Sequence, residues 1–399
     1  MTLDIELDKP GEPHWLSKSA LAPRAQARHV GDAIRFQPVP QRQEFGRRRA
    51  EALGLRAVGC RVIWLEVIWP SRAQAMRANF PMIKRQLRDY QLDDCVAVTL
   101  PNGDPVLDEE FRGCGDLEAA READLLLNLQ YATPAELLRQ FRRTALVDID
   151  PGLLQVWHAK GAVSFAPHDR YFSIGETVGR PDALFPDCGV RWHYTPPPVF
   201  LPEWPVVPAA ADAPYTAVAH WWLGTMEWGG VTFSNDKRTS FLEVLDLPAQ
   251  SPAKLELALC LGEDEAEERE LWKRHGWSVR HSWDVTSSAA AYRAYIHGSR
   301  GEFSCAKPSC MRLQNAWISD RTLCYLASGR PAIVQHTGPS RILPDAAGLF
   351  RFHTMQDAAA ALAAVEADYD RHCRLARALA EEYFDAKKVM KSLLERALA

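Results

Sequence analysis

Short apolar segments that read as strands alternate with longer segments of helical pattern along most of this chain. That alternation constrains the fold more than any other feature. A strand followed by a crossover helix returns to the same sheet in parallel, so repeated units of this kind build layered α/β domains. In the first half, AIRFQPV from Ala33 reads as a strand leading into the helical QEFGRRRAEALGLRAVG, and CRVIWLEVIW as the next strand. ADLLLNLQYAT, the helix PAELLRQFRR and the strand TALVDID, ending at Asp150, follow.

The texture changes between Pro181 and Pro214, where prolines interrupt any helix and favour extended chain. The alternation then restarts: YTAVAHWW, the helix SNDKRTSFLEVLDL, the strand KLELALCL, the helix DEAEERELWKRHG, the strand WSVRHSW, the helix SSAAAYRAYIHG and the strand GEFSCAKP. The strand PAIVQH and long helices from Gln356 onward complete the pattern. The expected architecture is α/β, with two Rossmann-like doubly wound domains facing each other across a cleft. The expected division is 1–200, 201–375, and a helical 376–399 packing back toward the first domain.

Composition narrows the function classes. Of 399 residues, 47% are hydrophobic and 25% charged, enough to build sizeable cores. The formal net charge is −4 with no basic block, which argues against a general nucleic-acid surface or an anionic membrane as partner. The nine cysteines are scattered and never form C-x-x-C, so neither a disulfide framework nor a zinc site is expected, and a cytoplasmic location fits. The opening MTLDIELDKPGEPHW lacks the apolar core of a signal peptide, and VIWLEVIW, interrupted by Glu66, is too short to span a membrane.

The stretch WISDRTLCYLASGRPAIVQHTG carries the first chemical signal. Ser319, Asp320 and Arg321 open an apolar helix that Gly329 closes before a β-branched strand. A serine or aspartate there can cap the helix. A cation in the first turn opposes the helix dipole, and is explained if an anion such as a phosphate arrives at that point. Pairing of Arg321 with a neighbouring acid is the alternative. Lys307 follows the strand EFSCA at the end where open α/β sheets bind ligands, and Lys237 and Arg238 open another helix of the same half. These residues, Ser319, Asp320, Arg321, Lys307, Lys237 and Arg238, form the expected anion-binding set, with an exposed lysine or a simple Asn235 or Asp236 cap as the blander reading.

The segment GEFSCAKPSCMRLQNAWISDRTLCYLASGRPAIVQHTGPSRILPDAAGLFRF, with GLFRFHTMQDAAAAL and ARALAEEYFDAKKVMKSLLERAL after it, resembles the nucleotide-binding domain of GT-B glycosyltransferases. DIDPGLLQVW, HDRYFSIGE and SDRTLCYLASGRP are similar to segments of bacterial glycosyltransferase-like proteins. The resemblance implies sugar transfer from a nucleotide-diphosphate sugar, bound by the second domain around Arg321, to an acceptor held by the first. No cofactor other than the nucleotide sugar as co-substrate is implied. Where many members carry a ribose-holding glutamate, this chain has Cys324. A nucleotide-sugar epimerase of the same fold, or a non-catalytic relative that binds a nucleotide sugar or a partner protein, are the competing readings.

Three further groups are weighed for the chemistry. His168 and Asp169, adjacent in HDRYFSIGE, and Glu44, in the loop after the first strand, are candidate bases for an acceptor hydroxyl, each against an ordinary structural role. Asp148 and Asp150 of DID resemble the metal site of GT-A enzymes, yet Pro151 follows at once and a strand-end loop contact is the favoured reading, so no metal is expected. The aromatic HWW with Trp228 reads as core or as a stacking platform, and EDEAEERE as a solvated helix face.

Overall fold

The computed structural model describes residues 42–106, 111, 114, 117–262 and 265–399. The strand expected from Ala33 lies outside the described residues. Among the described residues the chain is α/β, and every pairing between its named strands but one is parallel.

The first half holds two parallel sheets. β1 (Trp64–Val67) pairs with β2 (Val96–Thr99), while β3 (Leu126–Asn128), β4 (Thr144–Asp148), β5 (Arg170–Ser173) and β6 (Trp192–Tyr194) lie side by side in that order. β6 forms inside the proline-rich stretch: its backbone hydrogen bonds β5, and Pro196, Pro197 and Pro198 begin only after its end.

The second half is one six-stranded parallel sheet. β7 (Tyr215–Ala219), β10 (Leu255–Leu259), β11 (Ser278–His281), β12 (Gly301–Ser304), β13 (Ala332–Gln335) and β14 (Leu349–Phe352) line up as β11-β10-β7-β12-β13-β14. Counted from β7, this is the doubly wound order 3-2-1-4-5-6, which reverses direction between β7 and β12. The inner strands β7 and β10, YTAVA and LELAL, read as near-continuous apolar runs because both faces are covered, whereas the edge strand β11, SVRH, is partly exposed. One face carries Trp221, Phe241, Trp272, Trp277 and Phe303, with the Trp221 and Trp272 rings 5.2 Å apart, and the other carries Ile296, Leu323, Leu326, Leu379 and Phe384. Trp221 of HWW is therefore core, with no exposed surface.

A feature the alternation did not anticipate is the antiparallel hairpin β8 (Thr225–Trp228) and β9 (Val231–Ser234). Gly229 and Gly230 turn it with φ of 60° and 75°, the left-handed pair that a two-residue hairpin requires.

The helix Ala386–Leu398 closes the chain against the first half. Its Val389, Met390, Leu393 and Ala397 pack on Ala145, Val147 and Phe172 of β4 and β5. It also crosses the helix Arg42–Ala57 so closely that a Cβ on Gly54 would lie 2.7 Å from the Ala386 carbonyl oxygen.

Candidate functional site

Where a doubly wound sheet reverses strand order, the helices leave neighbouring strand ends toward opposite faces and a crevice opens at the carboxyl ends. Here that crevice lies beyond β7 and β12, and the residues around it come from four connections.

Arg321 sits at the base. The Ser319 hydroxyl caps its helix, Asp320–Ala327, by accepting from the Arg321 amide at 3.3 Å. The guanidinium turns inward: Nε donates to Glu302 Oε1 at 2.7 Å, Nη1 to the Val218 carbonyl at 2.8 Å, and Nη2 to Ser304 Oγ at 2.5 Å. These partners lie on β12 and β7, and both charged side chains are buried. The expectation that Arg321 waits for a phosphate is thus corrected. The anion that offsets the dipole penalty is Glu302, a carboxylate placed inside the strand GEFS.

Lys237 lies above this pair. It is 8% exposed, and among the described residues no carboxylate or hydrogen-bond acceptor pairs with its ammonium. Burial, and then the charges of Arg321 and Lys307, push its pKa down to about 7. A buried amine without a counter-ion neutralises rather than hold its charge, and Lys237 is caught between the two states near neutral pH. Lys307 follows β12 and is half-buried. Asn235 clasps the two connections together, its Oδ1 accepting from the Ser309 amide at 3.1 Å. The Ser309 hydroxyl beside them is buried and has no partner among the described residues. Two amines and a hydroxyl with unfilled hydrogen-bonding capacity thus converge at the reversal point, an arrangement suited to an oxyanion.

The first half supplies the opposite wall. Asp148, at the end of β4, is fully buried and accepts from Gln155 Nε2 at 3.0 Å, Ser173 Oγ at 2.8 Å and Tyr131 OH at 3.1 Å. Burial lifts its pKa to about 6, against the stabilising bonds from Gln155 and Ser173. Its carboxylate is spent inside the sheet, so DID does not present two free carboxylates on one edge. Among the described residues no three His, Cys, Asp or Glu side chains gather as a metal site would need. Asp150 differs. Its Oδ2 lies 3.3 Å from Tyr131 OH, whose one proton goes to the nearer Asp148, and its charge is felt by Cys310 and Asp320 of the second half. It is the carboxylate that the β4 end presents to the crevice.

Several contacts between described residues join the walls, three of them near the crevice. Arg47 donates to Asp320 Oδ1 at 3.4 Å, Asn315 Nδ2 to the Pro151 carbonyl at 2.7 Å, and Thr177 Oγ1 to the Gln314 carbonyl at 3.0 Å. Gln314 and Ala316 adopt φ of 50° and 53° to make that loop reach across.

The other expected site residues lie elsewhere. Arg238 is held by Glu268 at 2.7 Å and stands over the Trp222 ring, away from Lys237. His168 and Asp169 do not act as a pair. Asp169 precedes β5 and uses Oδ2 to accept from the Thr144 amide at 2.8 Å and hydroxyl at 3.0 Å, at the amino end of the sheet. His168 has Nδ1 at 2.7 Å from the Ala166 carbonyl and Nε2 at 3.0 Å from Asn128 Nδ2, which assigns the proton to Nδ1. Burial lowers its pKa and keeps it neutral. Both are corrected to structural roles, because a residue before a parallel strand lies at the end opposite the crevice. Glu44 falls in the first turn of the helix Arg42–Ala57, not in a loop, and its side chain lies outside the described residues. Cys324 is enclosed in its helix, its thiol donating to the Asp320 carbonyl at 3.3 Å.

Sequence reasoning missed Arg47, Glu302, Asn315 and Ser309. Glu302 alone carried a signal, as the one charge in an otherwise small and apolar strand, GEFS.

No protein-family model matches the chain, and no curated protein matches it. Among solved structures, sucrose-phosphate synthase from Thermosynechococcus elongatus is similar over 87% of this chain and 91% of that one, with a TM-score of 0.51 at 11% identity. Anabaena Alr3699/HepE in complex with UDP-glucose aligns over 84% of this chain and 98% of that chain, with a TM-score of 0.49 at 14% identity. A glycosyltransferase from Rickettsia africae aligns over 84% and 98%, with a TM-score of 0.47 at 9% identity. The likeness to the synthase is one of fold, and it agrees with the α/β architecture and parallel sheets described above.

Proposed function

We propose that this chain is a glycosyltransferase that takes a sugar from a nucleotide-diphosphate donor and passes it to an acceptor hydroxyl. The observation that carries the reading is Lys237: a buried ammonium without a counter-ion, beside Lys307, at the point where the sheet order reverses. A fold shared with sucrose-phosphate synthase and the GT-B resemblance of the C-terminal third support it. In this reading residues 201–375 hold the donor, residues 1–200 hold the acceptor, and 376–399 tie the two together. No cofactor beyond the nucleotide sugar takes part.

Lys237, Lys307 and the Ser309 hydroxyl hold the diphosphate. As the bond from the sugar's anomeric carbon to the diphosphate oxygen breaks, negative charge grows on that oxygen, and the two amines stabilise it. The acceptor oxygen forms the new bond to the anomeric carbon and gives up its proton to the Asp150 carboxylate, which also orients that hydroxyl from the opposite wall. Arg321 and Glu302, paired beneath, fix the position of the crevice floor.

Calorimetry with UDP, ADP and GDP against their nucleosides tests the reading. One diphosphate should bind at least tenfold more tightly than its nucleoside, and Lys237→Ala should remove that margin. Diphosphate and nucleoside binding alike, or a margin untouched by Lys237→Ala, overturns it. The non-catalytic alternative rests on one observation, Cys324 enclosed at the place where a ribose-holding glutamate is common. Donor binding without donor hydrolysis or transfer to any acceptor would favour it.

A further inference from the structure

The two walls of the crevice differ in sign. Lys237 and Lys307 face carboxylates gathered at the end of β4 and the start of the helix Asp320–Ala327. Asp150 is half-buried and the Asp320 side chain is 30% exposed, so both keep open surface. Asp150 is close enough for Asp320 to feel its charge, and Asp320 receives Arg47 Nη1 at 3.4 Å. Arg47 in turn interacts with Tyr131, whose hydroxyl is 3.3 Å from Asp150 Oδ2. Arg47, Asp150 and Asp320 thus form one group around Tyr131.

The charges of this group are already matched. Arg47 Nε donates to Glu51 at 3.3 Å, while the neighbouring Arg48 pairs with Glu66 at 3.1 Å and Arg321 with Glu302. Burial pushes the Glu51 and Asp320 carboxyls up, which is the response of acids that outnumber their cation. Hydrogen bonding, by contrast, is incomplete. Arg47 is 4% exposed, and its Nη2 is buried without an acceptor among the described residues. Gln130, which follows β3 at the same end of the sheet, has a buried Nε2 in the same condition. Asp150 is the converse: the Tyr131 proton goes to Asp148, and among the described residues no other side chain donates to the Asp150 carboxylate. An unfilled donor beside an unfilled acceptor is matched by a hydroxyl, the neutral group that accepts and donates at once.

Building on the glycosyl-transfer reading, we infer that the acceptor is a polyhydroxylated molecule without an anionic group, a sugar or cyclitol, held through two neighbouring hydroxyls. One lies on Asp150 and gives up its proton there. The other accepts from Arg47 Nη2 and donates to Asp320. A phosphate or carboxylate is rejected, because Asp150 and Asp320 repel it and the guanidinium is already paired. A simple alcohol fills one position and leaves the buried Arg47 donor unmade.

Saturation-transfer difference NMR on the full chain tests this without any nucleotide, with inorganic pyrophosphate added to occupy the two amines. The probes are D-glucose, myo-inositol, glucose 6-phosphate and cyclohexanol. Glucose or myo-inositol should bind saturably, glucose 6-phosphate more weakly than glucose, and cyclohexanol not at all. Arg47→Lys, which keeps the charge facing Asp320 and Glu51 but removes the second arm, and Asp150→Asn should each raise Kd at least about tenfold. Circular dichroism matching the parent verifies the fold of each variant; if Arg47→Lys fails it, Asp150→Asn and the order of the probes decide. Absence of polyol binding, polyol binding that survives either substitution in a folded variant, or glucose 6-phosphate or cyclohexanol binding as tightly as glucose overturns the inference. Intact diphosphate binding without polyol binding sinks this inference alone, whereas polyol binding without diphosphate binding overturns the glycosyl-transfer reading and leaves the polyol site standing.

Discussion

Arg321 Nε lies 2.7 Å from Glu302 Oε1, with the two side chains 3% and 0% exposed, so the cation that opens one helix is neutralised by a carboxylate inside the adjacent strand. Breaking such a pair from one side leaves a buried charge without its partner, whereas replacing both removes the desolvation cost along with the attraction. Arg321→Met should cost about 3–5 kcal/mol of stability. The double variant Arg321→Met with Glu302→Leu should recover most of that loss. Urea denaturation monitored by tryptophan fluorescence reads both values. A single-variant loss of less than about 1 kcal/mol would place Arg321 among exposed, weakly coupled pairs instead.

Lys237 imposes the opposite balance. Its ammonium is buried without compensation, so Lys237→Met should raise the melting temperature while it weakens diphosphate binding. Loss of a charge-assisted bond of about 1.5–3 kcal/mol corresponds to roughly ten- to a hundredfold in affinity. Calorimetry and thermal denaturation on one preparation measure the two together. A variant that loses both stability and affinity would show that Lys237 has a structural partner.

The pH dependence follows with a definite sign. The Lys237 pKa is about 7 in the folded chain against 10.5 for an ordinary lysine. Below pH 7 both states carry the proton and the folded state bears the full cost of burying the charge. Between pH 7 and 10.5 the unfolded state binds more protons, so this group makes stability rise with pH across that window. The difference between the parent and Lys237→Met isolates it: the advantage of the methionine variant should shrink as pH climbs from 7 to 10. Diphosphate affinity should run the other way, falling above pH 7 because binding must then supply a proton to Lys237, with no such fall in the variant.

Asp150→Asn should lower the rate of transfer at least a hundredfold while diphosphate affinity stays within about twofold, since general acid–base assistance contributes about 10²–10⁴ in rate. Initial rates with saturating donor, set beside calorimetry, separate the two. An unchanged rate would remove Asp150 from the acceptor side. Loss of donor affinity would place it on the donor.

Gly338 has φ of 142°, and a Cβ there would lie 2.5 Å from the Gln314 carbonyl oxygen and 2.8 Å from the Ala316 amide. Gly338→Ala should therefore displace the loop that carries Asn315 across to Pro151. Hydrogen exchange should show loss of protection around residues 314–316 and 151–154 together. Protection lost on one wall alone would mean that the loop does not couple them.

By itself the sequence determined the layered α/β character and the parallel pairing. Those features depend on local periodicity: apolar runs such as YTAVA and LELAL can only be sandwiched strands, and the helices between them enforce crossovers. It also pointed to Lys237 and Lys307, because each directly follows or opens an element at the carboxyl end of a strand, and position along the chain is enough to say so. Partner choice is different. Arg321 and Glu302 are 19 residues apart, and Arg47 and Asp320 are 273 apart, so which charge meets which is settled only when the sheets are assembled. The same holds for His168 and Asp169, adjacent in sequence but sent to separate partners by the end of the sheet on which they lie. A two-residue pattern records chemical type, whereas burial, strand end and distance decide whether that chemistry faces a ligand, another side chain or solvent, and these arise only from tertiary packing.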